Sequence, residues 1–183
     1  QNGNISVTAN NCSGSSSPSM LSVTVGSPAP ATPGAITGTA SQCPNQTGQT
    51  YSVAAVANAT TYTWNVPAGW TITAGQGTTS IIVTTGSAGQ NGNITVTAGN
   101  TCGTSSASSL AATVIAAGTY IGPNNGDWNT PGNWCGGILP ISSTNVVIPA
   151  GLTVNISSGS ANANSVTIHG GLNFTGTQTL NIS

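Results

Sequence analysis

Proton-transfer chemistry has two candidates in this sequence, Asp127 and His169, the only acidic residue and the only histidine among 183 residues. With any of the many serines they would complete the inventory of a Ser–His–Asp hydrolase, whose imidazole must be held by the acid and bonded to the nucleophile. The local sequence argues otherwise. Ser165, the serine nearest His169 in the chain, lacks the glycines of a nucleophile elbow. Asp127 precedes Trp128 in a turn-forming stretch, where a short carboxylate bonds nearby backbone. His169 precedes Gly170-Gly171 and reads as a corner between strands. One acid cannot build a calcium cage. The thiols of Cys12, Cys43, Cys102 and Cys135 never take the C-x-x-C spacing of zinc or redox sites. Catalytic residues, metal and cofactor are therefore all expected to be absent.

Two other residue types carry chemistry. Four cysteines without a metal pattern point to disulfides and an oxidising, extracellular compartment. Trp128 and Trp134, six residues apart in a loop-rich stretch, have two readings. They form a platform for stacking a surface glycan, or they plug the open end of an apolar core, and the plug is favoured.

Charge narrows the field further. The chain has no Lys or Arg, and charged residues make up 1% of it, against about 25% in ordinary soluble domains. Nucleic acid is excluded as a partner because nothing can displace counterions from phosphates. Attraction to an anionic membrane fails for the same reason, and no run approaches the ~20 apolar residues of a membrane span. Hydrophobic residues nevertheless reach 37%, enough for a core. A neutral surface repels its own copies weakly, so self-association is open. The absence of a leader at Gln1 reads as a mature secreted chain or a piece of one.

An internal repeat organises the elements that must position these residues. QNGNISVTA (1–9) returns as QNGNITVTA (90–98), an offset of 89 residues from Gln1 to Gln90. MLSVTV (20–25) returns as SLAATV (109–114) at the same offset. Residues 1–26 are thus expected to be the closing strands of a truncated repeat, 27–34 a Pro-rich linker, and 35–116 one complete β-sandwich. Alternation and β-branched content predict its seven strands at 35–40, 50–55, 61–66, 69–73, 80–84, 93–98 and 109–115. Trp64 and Trp70 fall on inward phases and read as core.

The motifs Y-x-W, P-A-G-W-x-I, G-Q-G-T and N-x-C-G, read in order through 62–104, resemble the PKD-like, immunoglobulin-like repeats of giant Bacteroidota surface adhesins. The resemblance implies a stalk or spacer module, in proteins that include those exported by the type IX system for gliding. Residues 117–183 change character. Short β-runs at 144–148, 152–156, 165–168, 172–174 and 180–182, separated by Gly, Ser or Asn, suit the rungs of a parallel β-solenoid, itself cut short. This segment is similar to the W-x5-W…V-x-I-P opening of solenoid modules in the same class of proteins. The fold class expected is therefore all-β, with tandem immunoglobulin-like sandwiches leading into a solenoid.

Two disulfide pairings stand. Cys43–Cys102 is the default within one sandwich. Alternating strand directions instead put those two loops at opposite ends, leaving Cys43 to face Cys135 of the next module and Cys102 to face the previous one. The function expected is a structural stalk of a cell-surface adhesin, its partners being neighbouring repeats of the same chain, with surface glycans or self-association as alternatives. A carbohydrate-binding module of a polysaccharide-degrading enzyme and a self-assembling filament are the rival readings. Trypsin, which cuts after Lys and Arg, should leave the folded chain intact on a gel; discrete internal fragments would contradict this.

Overall fold

The computed structural model describes residues 2–183; Gln1 lies outside the described residues. The chain is all-β, with one 3-10 turn at Pro131–Asn133 and no α-helix among the described residues. At the N-terminal end, β1 (Gly3–Val7) pairs antiparallel with β4 (Ser19–Val23), and β2 (Asn10–Asn11) with β3 (Gly14–Ser15) extends this hairpin to its tip.

The central unit is a two-layer sandwich. Its strands are β5 (Ser41–Gln42), β6 (Gln49–Ser52), β7 (Thr61–Asn65), β8 (Thr71–Ala74), β9 (Ser80–Thr84), β10 (Gly92–Asn100), β11 (Gly103–Thr104) and β12 (Ser108–Val114). In one layer β10 lies between β7 and β12, both antiparallel to it, and β5 joins β12 in parallel. The other layer has the order β6-β9-β8. Between them lie Tyr51, Val53, Ile81 and Val83 from one sheet and Tyr62, Trp64, Ile94, Val96, Ala98, Ala112 and Val114 from the other, all buried. Trp64 donates through Nε1 to the Thr78 carbonyl at 2.8 Å, and Trp70 to the Gln90 carbonyl at 2.9 Å. Both indoles are therefore satisfied inside the core, as burial of an N–H requires.

Residues 35–40 are not the strand expected of them. Thr37 bridges Ser52 in one sheet, and Ser41–Gln42 then joins β12 in the other, so the segment changes layers. Gly38 permits the crossing, since a Cβ there would lie 2.2 Å from the Tyr51 ring. Ala55, expected to share an inward face with Tyr51 and Val53, is exposed because the strand ends at Ser52. The segment 27–34 docks instead of swinging free. Pro30 and Pro33 are buried, Asn100 Nδ2 donates to the Pro28 carbonyl at 2.8 Å, and Ser108 Oγ donates to that of Gly34 at 2.9 Å.

Beyond Gly118 the chain stacks in parallel. β14 (Asn145–Ile148) pairs with β17 (Ser165–Ile168), and β16 (Ser160–Ala163) with β19 (Thr179–Ile182). β15 (Thr153–Ile156) lies between β13 (Gly126–Asp127) and β18 (Gly171–Phe174). The ladders are two or three strands deep and form no closed solenoid. Equivalent residues recur 18 to 20 positions apart, as Asn155 opposite Asn173 and Asn145 opposite Ser165 illustrate. Val146, Ile148, Val154, Ile156, Ala161 and Ala163 point into one buried cluster. On the outside, Asn173 bonds Asn155 at 3.3 Å and Asn181 bonds Asn162 at 3.1 Å. The strand Ser160–Ala163 carries no β-branched residue, which is why alternation did not reveal it.

The 89-residue offset holds in register as well as in sequence. Gly3 faces Val23 as Gly92 faces Ala112, and Val7 faces Ser19 as Val96 faces Ser108. Side-chain bonds repeat too: Asn2 Oδ1 accepts from Val25 N as Asn91 Oδ1 does from Val114 N. Likewise Ser16 Oγ accepts from Ala9 N as Ser105 Oγ does from Ala98 N. Burial differs sharply. Ile94 and Val96 are fully buried, whereas their counterparts Ile5 and Val7 are 62% and 67% exposed, because no second sheet covers the hairpin.

Two outcomes follow for stability. Ile94→Ala should cost about 2–5 kcal/mol in urea unfolding, whereas Ile5→Ala should fall within about 0.5 kcal/mol of the parent; equal losses would mean the hairpin face is covered in solution. Burial raises the phenol pKa of Tyr51, whose bond from Gln42 lowers it less, and burial also raises that of Tyr120. A raised folded pKa contributes stability below the unfolded value of about 10 and loses it as pH climbs through the folded value. Melting temperature should therefore fall above about pH 10, and by less in Tyr51→Phe.

Candidate functional site

Two of the four cysteines, Cys43 and Cys135, meet where the sandwich joins the parallel stack. Cys43 follows β5 directly, and its loop is tied down from the neighbouring sheet. The buried Thr85 donates through Oγ1 to the Cys43 carbonyl and accepts from Gln46 N, both at 2.8 Å, while Asn45 N donates to the Gly86 carbonyl. On the other side, Pro131–Asn133 forms the 3-10 turn that delivers Trp134 and Cys135, and Cys135 N donates to the Thr119 carbonyl at 2.9 Å. Cys43 and Cys135 are disulfide-bonded, with Cα atoms 5.4 Å apart. Because 92 residues separate them in sequence, the bond restricts the unfolded chain by about 4–5 kcal/mol in the chain-entropy account.

The alternative pairing Cys43–Cys102 does not occur. Cys102 is a free, exposed thiol in the turn after β10, as Cys12 is in the turn after β2. Cys43 lies beside the opposite end of that sheet, where Ile115 N donates to the Gln42 carbonyl at 3.0 Å. The length of β10, Gly92–Asn100, therefore separates the two sulfurs, about 30 Å by strand rise.

The peptide from Ile115 to Thr119 and the disulfide run side by side as two struts across the junction. A single strut would allow swivelling about one bond; two restrict both bending and twisting. Beside them lies a groove of about 210 Å³ lined by Ala117, Gly118, Cys135, Ile138, Leu139 and Ile141 among others.

Trp128 and Trp134 occupy the end of the stack nearest the sandwich junction and are 1% and 0% exposed. Their rings meet edge to face at 4.7 Å, Trp134 packs similarly on Tyr120 at 5.2 Å, and Trp134 Nε1 donates to the Trp128 carbonyl at 2.7 Å. Neither face is open to a sugar, so the glycan-stacking role considered for them fails on burial. They line the apolar cluster instead.

Asp127 and His169 are not brought together. Asp127 Oδ1 accepts from Asn129 N at 2.9 Å, and Oδ2 accepts from Ser157 Oγ. Both bonds brace the turn after β13. His169 is exposed in the corner between β17 and β18, where its backbone N donates to the Ile148 carbonyl. Among the described residues no cluster of three His, Cys, Asp or Glu could hold a metal. Sequence reasoning missed Gln76, which turns out to matter. Its Oε1 accepts from Trp64 N at 3.1 Å and its Nε2 donates to the Trp64 carbonyl at 3.0 Å, closing the free edge of β7 as another strand would. The G-Q-G stretch around it was the available signal.

Residues 29–112 match the family model of the PKD-like domain, a domain that is typically non-catalytic. No curated protein and no solved structure matches the chain significantly. That domain, the disulfide, and the lack of any helix long and apolar enough to cross a membrane among the described residues are consistent with an extracellular protein. The sandwich at the centre of the chain thus matches a PKD-like domain and is all-β.

Proposed function

We propose that the chain is a stalk segment of a large secreted cell-surface adhesin, holding binding modules away from the cell. The observation that carries this reading is the double connection between consecutive β-units, peptide and Cys43–Cys135 together. A catalytic or ligand-binding domain has no need of it, whereas a spacer under load does. Residues 1–26 read as the closing hairpin of another PKD-like repeat, because their register and side-chain bonds match those of 90–115 at one offset. The parallel ladders read as the first coils of a β-solenoid, because three faces recur every 18 to 20 residues. The Bacteroidota type IX setting is what the resemblance of 62–104 implies. Self-assembly has one supporting observation, the exposed Ile168, Phe174 and Ile182 on the outermost coil. The carbohydrate-binding alternative would need a platform other than Trp128 and Trp134, which are buried.

Single-molecule pulling from both termini tests the reading. With the disulfide intact, the residues between Cys43 and Cys135, 92 apart in sequence, cannot extend. The unfolded contour should then be shorter by about 300 Å than in a Cys43→Ser variant. Equal contours would remove the covalent clamp from the load path and the stalk reading with it.

A further inference from the structure

Cys102 stands at the pole of the sandwich opposite Cys43, and the 89-residue offset says what should face it. In the complete sandwich, Cys43 lies next to Ile115, whose N–H donates to the Gln42 carbonyl at 3.0 Å. Val25 corresponds to Val114, since both backbone N–H groups are held by an equivalent asparagine. The position corresponding to Ile115 is therefore Gly26. A Cβ on Gly26 would lie 3.0 Å from Cys102 Sγ. So the sulfur of Cys102 sits where the preceding repeat, on the tandem reading proposed above, would present its own equivalent of Cys43.

We infer that Cys102 forms an inter-module disulfide with the cysteine equivalent to Cys43 in a preceding PKD-like repeat. Three features converge on it. At the other junction the corresponding bond is made, Cys43 to Cys135. The linker is pinned where the bond would form, by Asn100 Nδ2 on the Pro28 carbonyl and by Gly103 beside Ala29. And Gly26, having no side chain, leaves room for the sulfur. Cys135 then plays for the parallel stack the part that Cys102 plays for the sandwich: each unit carries a receiving cysteine toward its predecessor. Two thiols become one disulfide, their two protons and two electrons passing to a thiol–disulfide oxidoreductase whose own disulfide is reduced to a dithiol.

The junction geometry is testable in the chain of 183 residues. It carries two free thiols, on Cys12 and Cys102. A Gly26→Cys substitution should, after oxidation, leave one thiol reactive under denaturing conditions; three would overturn the placement of Cys102. The bond itself is tested by placing residues 27–114 directly before Gly26, which supplies a complete repeat in front. One free thiol is expected, belonging to the front copy's Cys102, and two when the rear Cys102 is changed to Ser. Three free thiols, with Cys43–Cys135 still found by non-reducing peptide mapping, would overturn the inference and leave the stalk reading intact. Loss of Cys43–Cys135 as well would overturn both.

Discussion

Hydrogen bonding by neutral side chains is the constraint on which this structure rests. With no Lys or Arg and a single acid, strand edges cannot be guarded by charge, the usual device against edge-to-edge pairing. Amides and hydroxyls take over. Gln76 brackets Trp64 from both sides, and Tyr62 exchanges backbone bonds with Gly77, so the outer edge of β7 is paired without a strand. Thr85 holds the Cys43 loop, Asn91 holds the end of β12, and Asn100 holds both the hairpin tip and the linker. Each such bond contributes only about 1 kcal/mol net, but leaving a buried partner unmade costs more. None of them titrates near neutral pH or is screened by salt.

That economy explains why the junction is covalent. Interfaces between domains are usually held by mixtures of apolar contact and charge, and charge is missing here. The tether from β12 to Thr119 is a handful of residues including Ala116, Ala117 and Gly118, which by themselves would leave the units free to swivel. The disulfide adds the second point of attachment, and both ends of it are built on rigid structure. Cys43 is clamped by Thr85 and Gly86; Cys135 follows a 3-10 turn and the buried Trp134.

Much of the sandwich was legible because alternation is a strong signal where one face is buried. The strand at 80–84 is where Ser-Ile-Ile-Val-Thr predicts it, and Tyr62, Trp64 and Trp70 are buried on the inward phases assigned to them. The misses have physical causes. Residues 35–40 alternate like a strand yet change sheets, something only the partner strands decide. Ser160–Ala163 is a strand because it pairs with Thr179–Ile182 in the stack; its alanines are buried in the cluster, and propensity is silent. Trp128 and Trp134 suit a sugar platform or a core by type alone, and their burial fits the core plug that the repeat-stack argument favours. The Cys43–Cys135 pairing, by contrast, was legible once strand directions were followed, because alternating strands put the Cys43 and Cys102 loops at opposite ends of β10.

Load would travel through this arrangement in a definite way. The linker reaches the sandwich at the Asn100 and Gly103 end of β10, and the next unit is attached at the Val114 and Cys43 end. Entry and exit are thus separated by the length of the central strands. The Cys43–Cys135 bond bypasses the residues between them, so tension would pass from the linker through Ser41–Gln42 into the disulfide, while β7, β10 and β12 lie inside the closed loop and are shielded from it. The hairpin of β1 and β4 has the same register as β10 and β12 but no covering sheet. Its apolar residues show what the sandwich adds to a hairpin: a second layer that takes the inner face of the ladder out of water.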